Sequence, residues 1–340
     1  MTKVLLIEED IQINKPLTRI RSSFSLRNGI FSPLERIKKE DSSSEIYYRH
    51  HSTEIGNIIS KIENLVYADS TDLKFDSIIK SNGCIKVLKG IGNQIQEDLK
   101  YLNLKNFSNK GIEAEGNNSD LFLHDSCKIY PGVYFDTTEG PIIIDKETIL
   151  TPSSFIVGPT YIGKNSHLDN VKINGPTIIG NNCRIGGEIE NSIINDFSNK
   201  HHEGFLGHSI LGSWVNIGAL ATTSDLKNNY GEIRLQLPNS YYPFCAELIT
   251  FNTGEIKFGS IIGDCVKIGI GTMINTGTVI DFGSNIYNTI PEKYTFPLSW
   301  KDNSTRYQLD KFIEDCEKIY KRRNQVPHIE MKNLINEFCK

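Results

Sequence analysis

Apolar residues recur with a period of six along the middle of the chain. One series is Ile256, Ile262, Ile268, Ile274, Ile280 and Ile286. This period fits neither the 3.6-residue turn of a helix nor the two-residue alternation of a half-buried strand. It fits a coil with three flat faces, in which one aliphatic side chain per face points inward and stacks on its counterpart one coil later. The pattern therefore predicts a β-helix.

The same period occurs upstream with short interruptions. Its positions are Ile144, Leu150, Ile156, Ile162 and Leu168, then Ile173, Ile179 and Ile185 after a one-residue slip, and later Leu211 and Ile217. A glycine directly follows several of these residues, as at Gly163, Gly180 and Gly263. We expect such glycines, or an asparagine in the same place, to occupy corners where φ is positive. Because one coil cannot bury its own aliphatic face, several stacked coils form the core.

The repeat is interrupted twice. One break lies around residues 195–204, and a longer one runs from about residue 219 to residue 254. Within the longer break, residues 232–237 and 247–252 alternate between apolar and polar, which predicts a protruding β-ribbon. Loops that leave a rigid solenoid are where binding residues tend to lie.

The two flanking segments predict ordinary helices and strands. Val4–Ile7 predicts a strand, and apolar positions from Ile55 to Leu65 predict an amphipathic helix with Ser52 as its N-cap. A second helix is predicted around Ile95 and Leu99. The predicted organisation is a truncated α/β domain over 1–117, a β-helix over 118–298, and two C-terminal helices over 299–340, split by Pro327.

Composition excludes several classes of protein. The net charge of −4 provides no basic surface for nucleic acid or an anionic membrane. The seven cysteines are scattered without a C-x-x-C pair, which argues against a disulfide framework or a zinc knuckle. No apolar run approaches the ~20 residues of a membrane span, and we expect a cytoplasmic protein.

Four short strings carry a more specific signal. They are FLG at 205–207, VNIGA at 215–219, NNYG at 228–231 and KFGSIIGD at 257–264. With them, residues 118–298 resemble the acetyltransferase domain of the bifunctional N-acetylglucosamine-1-phosphate uridylyltransferase/glucosamine-1-phosphate N-acetyltransferase family, in its diverged sugar nucleotidyltransferase-like form. The resemblance implies a mainly β fold with a left-handed parallel β-helix, acetyl-CoA and an amino-sugar phosphate as small-molecule substrates, and a homotrimer.

The resemblance also assigns roles to individual residues. His202 matches the histidine that acts as general base, although the adjacent His201 is an open alternative. A histidine suits this role because its ordinary pKa lies near ~6.5. The substrate-binding positions implied by the resemblance are Asn216, Asn229, Tyr230, Lys257 and Phe205. Of these, Lys257 is expected to meet the sugar phosphate, and Phe205 stands where the family has a tyrosine.

The chain departs from the family pattern at two positions. Glu190 lies near a position where the family has a basic phosphate contact, and Ile270 replaces a small residue that lines the coenzyme groove. Either change indicates an altered substrate or a lost coenzyme.

The N-terminal segment weakly resembles a nucleotidyltransferase through Lys15, Pro16 and Leu17. Those enzymes have a glycine-rich phosphate loop after the first strand, where this chain has Glu8, Glu9 and Asp10. Because of the resemblance at Lys15, Pro16 and Leu17, sugar-1-phosphate nucleotidyl transfer to form a UDP- or dTDP-sugar is an alternative function. Only this activity would require Mg²⁺.

Two further hypotheses belong to different functional classes. One is a zinc carbonic anhydrase, which would use His167, His202 and His208 as metal ligands. The second is a catalytically silent homologue, which would keep the fold without the reaction.

Overall fold

The computed structural model describes residues 2–9, 11–69, 73–288 and 290–339. The N-terminal elements are β1 (Lys3–Ile7), α1 (Pro33–Glu40), β2 (Glu45–Arg49), α2 (Thr53–Glu63), β3 (Val66–Tyr67), β4 (Ser77–Lys80) and α3 (Cys84–Asp98). The four strands form one parallel sheet in the order β3-β2-β1-β4. The predicted first strand is confirmed, and so is the N-cap, since the Ser52 hydroxyl accepts a hydrogen bond from the Ile55 amide at 3.4 Å. The second predicted helix corresponds to α3, which ends before Leu99.

The column has three faces built from short strands. The first face comprises β5 (Phe107–Ser108), β6 (Leu121–His124), β9 (Ile142–Ile144), β12 (Thr160–Ile162), β14 (Thr177–Ile179), β16 (Ile193–Ile194), β19 (Ile210–Leu211), β24 (Ser260–Ile262), β27 (Thr278–Ile280) and β29 (Tyr294–Thr295). The second comprises β7 (Lys128–Ile129), β10 (Ile149–Leu150), β13 (His167–Asn174), β15 (Arg184–Glu190), β17 (Asn199–Lys200), β20 (Asn216–Ile217), β25 (Lys267–Ile268), β28 (Asn285–Ile286) and β30 (Ser299–Trp300). The third comprises β8 (Tyr134–Asp136), β11 (Phe155–Val157), the later halves of β13 and β15, β18 (Phe205–Gly207), β21 (Thr222–Thr223) and β26 (Met273–Ile274).

Successive coils pair in parallel, as the period predicts. Ile144 lies opposite Ile162, and Ile162 lies opposite Ile179. The mainly β fold class is therefore confirmed: the chain is a parallel β-helix with the hexapeptide period. The elements that leave the column are the ribbon strands β22 (Arg234–Pro238) and β23 (Leu248–Asn252), the edge strand β31 (Asp302–Arg306), and the helices α4 (Leu309–Lys321) and α5 (Met331–Phe338).

The aliphatic residues that recur with the six-residue period point inward and stack on one another, with one exception. We call this stack the inward ladder. From Ile144 to Ile286 these side chains are at most 5% exposed and belong to one buried cluster. Ile256 is the exception, because its side chain is 56% exposed and it lies between β23 and β24, before the first strand of the next coil. Its prediction as an inward residue is wrong, and the coil resumes only with Ile262.

The glycines that follow the inward residues have a different role from the one expected. Gly163 and Gly263 do not adopt positive φ. A Cβ on Gly163 would lie 2.7 Å from the Gly180 carbonyl oxygen, and one on Gly263 would lie 2.8 Å from the Phe282 amide nitrogen. These glycines therefore permit close approach of adjacent coils. The left-handed corner residues are instead Glu147, Asn165, Asn182, Phe197, Trp214, Cys265 and Gly283.

The outer side of the first face is also apolar and covered. Outward residues of the face pack with α3 and with the ribbon in one buried cluster; they include Ile143, Tyr161, Ile178, Ile193, Ile210, Ile261 and Val279. Strands β22 and β23 form the predicted antiparallel ribbon. The ribbon does not protrude as expected, since Ile233, Leu235 and Leu237 are fully buried. Its apolar side follows the column because burial of that side removes it from water.

A buried ion pair joins the N-terminal segment to the column. The Arg19 guanidinium contacts the Asp281 carboxylate at 2.7 Å, and both side chains are fully buried. The Tyr294 hydroxyl also donates to Asp281 at 2.6 Å, and Arg19 donates to the Tyr241 carbonyl oxygen. The same region contains a buried cluster shared by the N-terminal sheet, the column and both C-terminal helices. The domain boundaries at 117 and 298 stay predictions.

No helix among the described residues is both long and apolar enough to pass through a bilayer.

Candidate functional site

A row of polar side chains runs along the outside of the second face. Each member directly precedes an inward residue, and successive members lie opposite one another in neighbouring strands. The row is His167, Arg184, Asn199, Asn216, Lys267 and Asn285. Since alternate residues of a strand point to opposite sides, burial of the ladder directs this row outward.

The end of α4 covers part of this row. The Tyr320 ring stacks on Trp214 at a centroid distance of 4.0 Å, and Trp214 stacks on Phe197 at 4.3 Å. This stack fixes the end of the helix, so that Arg322 and Arg323 lie beside the polar row. Both arginines line two adjoining clefts of about 480 and 570 Å³, which also share Asn199 and Asn216.

The larger cleft contains both candidate general bases. His201 and His202 line it together with Asn216, Ala219 and Ile270. The structure thus brings two of the predicted site residues, His202 and Asn216, into one cleft. It also brings in Ile270, the residue that departs from the family pattern.

The two histidines differ in their surroundings. Nε2 of His201 hydrogen-bonds to the Asp169 carboxylate, which also lies 3.2 Å from His167 Nε2. Partial burial raises the pKa of Asp169, but the hydrogen bond from His201 and the nearby His167 outweigh it, and the net pKa is lowered. His202 is exposed, and its ring lies 5.0 Å from that of His201 between centroids. In the described part of the chain, no side chain or main-chain group hydrogen-bonds to the His202 ring.

A buried lysine supports the loop that carries these histidines. Lys200 occupies an inward position of the ladder, opposite Ile185, and is 2% exposed. Its ammonium donates to the Gly186 carbonyl oxygen at 3.0 Å and to the carbonyl oxygen of His202. Burial lowers the pKa of Lys200 to about 8. The sequence analysis missed this residue, although a lysine at a ladder position is visible once the register is known.

The lowered pKa of Lys200 predicts a pH dependence of stability. Between about 8 and 10.5 the unfolded lysine retains its proton while the folded one has lost it, so the free energy of unfolding should rise with pH across this window. Lys200→Met should remove this rise. Denaturant unfolding at several pH values measures it, with exposed Lys321→Met as the control. An unchanged pH dependence in Lys200→Met would contradict the prediction.

Lys257 and Phe205 belong to a second cluster on the third face. The Lys257 ammonium lies 3.1 Å from the Glu190 carboxylate, and His208 Nδ1 lies 2.6 Å from Asp225. Strand pairing places Glu190 opposite Gly207. A Cβ on Gly207 would meet the Phe205 ring and the Asp225 carboxylate, so both lie next to this glycine. The positive charge expected to meet a phosphate is therefore already paired with a carboxylate.

The same cluster contains the possible metal ligands of the described residues. Ligand atoms of Glu190, His208 and Asp225 all lie within 4.8 Å of one another, and no other such group occurs in the described ranges. The three histidines considered for zinc are not brought together: His167 is beside Asp169, and His208 is beside Asp225. Within one chain these three histidines therefore do not form a metal-ligand group among the described residues.

The remaining predicted residues lie in an exposed loop. The Asn229 side chain accepts a hydrogen bond from the Gly231 amide at 3.1 Å, and Tyr230 is 69% exposed. The loop follows a bridge between Leu226 and Lys257, so it lies next to the second cluster. Within one chain, the predicted site residues are thus divided between the cleft and this cluster.

The acidic residues after β1 have structural partners. Glu8 is buried and accepts hydrogen bonds from the Ser23 amide at 2.8 Å and the Tyr48 hydroxyl at 3.4 Å. Burial raises the pKa of Glu8 to about 7. Glu9 pairs with Lys80 at 2.7 Å. Asp10 lies outside the described residues.

Comparisons with known proteins agree on one group of relatives. The bifunctional protein GlmU of Thermodesulfovibrio yellowstonii is 30% identical over 194 residues, which is 44% of this chain and 37% of that protein. GlmU of Methanococcus maripaludis is 27% identical over 306 residues, covering 87% of this chain and 67% of that protein. GlmU of Buchnera aphidicola subsp. Baizongia pistaciae is 26% identical over 80% of this chain and 58% of that protein.

No family model matches the chain. Among solved structures, a perosamine N-acetyltransferase from Caulobacter crescentus matches 89% of this chain and 95% of its own, at 11% identity and a TM-score of 0.17. The matches to curated relatives extend from 37% to 67% of their length. Together with the four motif strings and the β-helix, they show that the chain is similar to GlmU proteins over part of their length.

Proposed function

We propose that this protein is an acetyl-CoA-dependent N-acetyltransferase that acts on an amino-sugar phosphate similar to glucosamine 1-phosphate. The observation that carries the proposal is the cleft that contains His202, His201 and Asn216 on the outside of the β-helix. Its volume of about 570 Å³ is within the range of small-molecule sites. The similarity to GlmU proteins supports the same reaction class.

In the proposed reaction, His202 acts as general base. Its imidazole takes a proton from the substrate amine as the nitrogen forms a bond to the acetyl carbonyl carbon. The bond between that carbon and the coenzyme sulfur then breaks, and the thiolate leaves and takes up a proton. The exposed ring of His202 is available for this step, whereas Nε2 of His201 is already bonded to Asp169. The Asp169–His201 pair would position His202, because the imidazole rings of His201 and His202 are neighbours.

The proposal includes a homotrimer with the coenzyme in a groove between subunits. An exposed apolar edge beside the cleft supports it, since Leu220, Ile270 and Met273 are 68%, 76% and 65% exposed. Exposed apolar patches of this kind commonly mark contacts with another chain. Ile270 would narrow the groove, so acetyl-CoA would follow a path that differs from the one in relatives with a small residue there.

The direct test combines purified protein with acetyl-CoA and glucosamine 1-phosphate. We expect release of one thiol per acetylated amine, measured with a thiol reagent and by mass spectrometry of the product. A reaction without acceptor is the control, and light scattering measures the proposed trimer. Absence of thiol release over a panel of amino-sugar phosphates would overturn the proposal.

A cleft in the N-terminal domain supports a second candidate, sugar-1-phosphate nucleotidyl transfer with Mg²⁺. The cleft, of about 240 Å³, lies at the carboxyl end of β4, against the first face of the column, and is lined by Arg27, Arg36 and Lys80 among others. Parallel α/β sheets bind ligands at such an edge. Against it, Glu8 and Glu9 are engaged by protein groups. Pyrophosphate release from UTP or dTTP with a hexose 1-phosphate is the assay.

A further inference from the structure

The cleft beside His202 contains a concentration of guanidinium groups. Arg184 comes from the polar row, and Arg322 and Arg323 come from the end of α4. No aspartate or glutamate lines either of the two adjoining clefts among the described residues. None of these three arginines forms a salt bridge within the part of the chain that the structure describes.

This grouping of like charges is unfavourable without an anion. Burial lowers the pKa of Arg323, and the positive charges of Arg184 and Arg322 lower it further. Four other buried or partly buried arginines have carboxylate partners, which are Arg19, Arg21, Arg27 and Arg36, the last with Asp98 at 2.6 Å. An anion in the cleft would supply the missing counter-charge, and a phosphate offers oxygens that match the fork of a guanidinium.

Arg184 and Arg323 are held in position before any ligand binds. Arg323 Nη2 donates to the Asn199 side chain at 2.9 Å. Arg184 Nη1 donates to the carbonyl oxygens of Asn165 and Cys183 at 3.0 and 2.9 Å. Because less side-chain freedom is lost on binding, such a preorganised set binds an anion more tightly than mobile side chains.

The alternative phosphate site, at Lys257, is poorly suited to an anion. Glu190 neutralises its ammonium at 3.1 Å. The Asp225 carboxylate, beside His208, adds a second negative charge to the same cluster. A phosphate there would meet two carboxylates, and like charges at such distances repel.

We propose that Arg184, Arg322 and Arg323 form the phosphate-binding subsite for the acceptor, in place of Lys257. This inference rests on the proposed function. It agrees with the chemistry of the acceptor, because in glucosamine 1-phosphate the amino group and the phosphate are on adjacent carbons and must enter the same cleft as His202. The diphosphate of the coenzyme is separated from its thioester by the whole pantetheine arm, so it would lie farther from the base.

Titration calorimetry with glucosamine 1-phosphate and with glucosamine tests the assignment. Arg322→Ala and Arg323→Ala should each weaken binding of the phosphorylated sugar by about 10- to 100-fold, the effect of losing a hydrogen bond between charged groups. Binding of glucosamine should not change. Lys321→Ala is the matched control, since Lys321 is exposed and adjacent to Arg322 but lines neither cleft. Lys257→Ala should also leave binding of the phosphate unchanged.

Two results would overturn the inference. One is weaker binding of glucosamine 1-phosphate in Lys257→Ala with unchanged binding in both arginine variants. The other is a loss of coenzyme A binding in the arginine variants while sugar phosphate binding is retained, which would assign the cluster to the coenzyme. Binding that depends on the arginines without any acetyl transfer would overturn the proposed function and support the subsite.

Discussion

Replacement of His202 by alanine should lower the rate of acetyl transfer by about 10²–10⁴-fold, the usual contribution of a positioned general base. The amine of the acceptor must lose a proton as it attacks the thioester, and His202 is the exposed imidazole in the cleft with both ring nitrogens available. The rate constant kcat for thiol release measures the effect, while the KM for both substrates should change little because the base accepts the proton only in the transition state.

His201→Ala and Asp169→Asn are the matched controls for this prediction. Both disturb the hydrogen-bonded pair beside the base but leave the His202 ring itself. We expect smaller losses of kcat than in His202→Ala, since these residues only position their neighbour. If His201→Ala removes activity and His202→Ala retains it, His201 is the base and the assignment to His202 is wrong.

Replacement of Arg19 by methionine should destabilise the protein by about 3–5 kcal/mol, the cost of leaving one partner of a buried ion pair unpaired. Arg19 and Asp281 are both fully buried, so no water can solvate the carboxylate that remains. Asp281→Asn should have a similar effect because it leaves the guanidinium uncompensated. Denaturant unfolding followed by circular dichroism measures both changes.

The double variant separates the charge effect from packing. In Arg19→Met with Asp281→Asn, no unpaired charge remains, and the amide oxygen can still accept from the Tyr294 hydroxyl. We expect a loss well below the sum of the two single losses. Lys172→Met is the surface control: Lys172 and Glu188 lie 2.9 Å apart but are 55% and 40% exposed, so the loss should be at most about 1 kcal/mol. Additive single effects in the double variant would show that packing alone is responsible.

The column could be predicted because its period is a direct property of the chain. Each inward aliphatic residue is followed after a fixed interval by the next, and burial of all of them requires one geometry. The failure at Ile256 has the same origin, since periodicity alone does not tell where a coil resumes after an insertion. The close-approach glycines were also misinterpreted, because a sequence does not distinguish a positive φ from a short distance between coils.

Sequence motifs predicted only those residues of the candidate site that lie in or beside a matching string. Asn216 lies in a matching string, His202 lies three residues before another, and the two share a cleft. Arg322 and Arg323 come from a helix more than a hundred residues away, and only the stack of Tyr320 on Trp214 reveals that they belong to the same cleft. The pairing of Lys257 with Glu190 likewise depends on strand register that a motif does not contain.

The two coils on either side of the long insertion stack directly on each other. Ile210 and Leu211 pair directly with Ile261 and Ile262, and the Gly212 amide donates to the Ile262 carbonyl oxygen at 2.7 Å. The frame of the column is therefore continuous across the insertion and does not depend on the length of its exposed loops. The exposed loop around Tyr230 can change without disturbing this frame, whereas the ribbon strands are constrained by the buried side chains Ile233, Leu235 and Leu237.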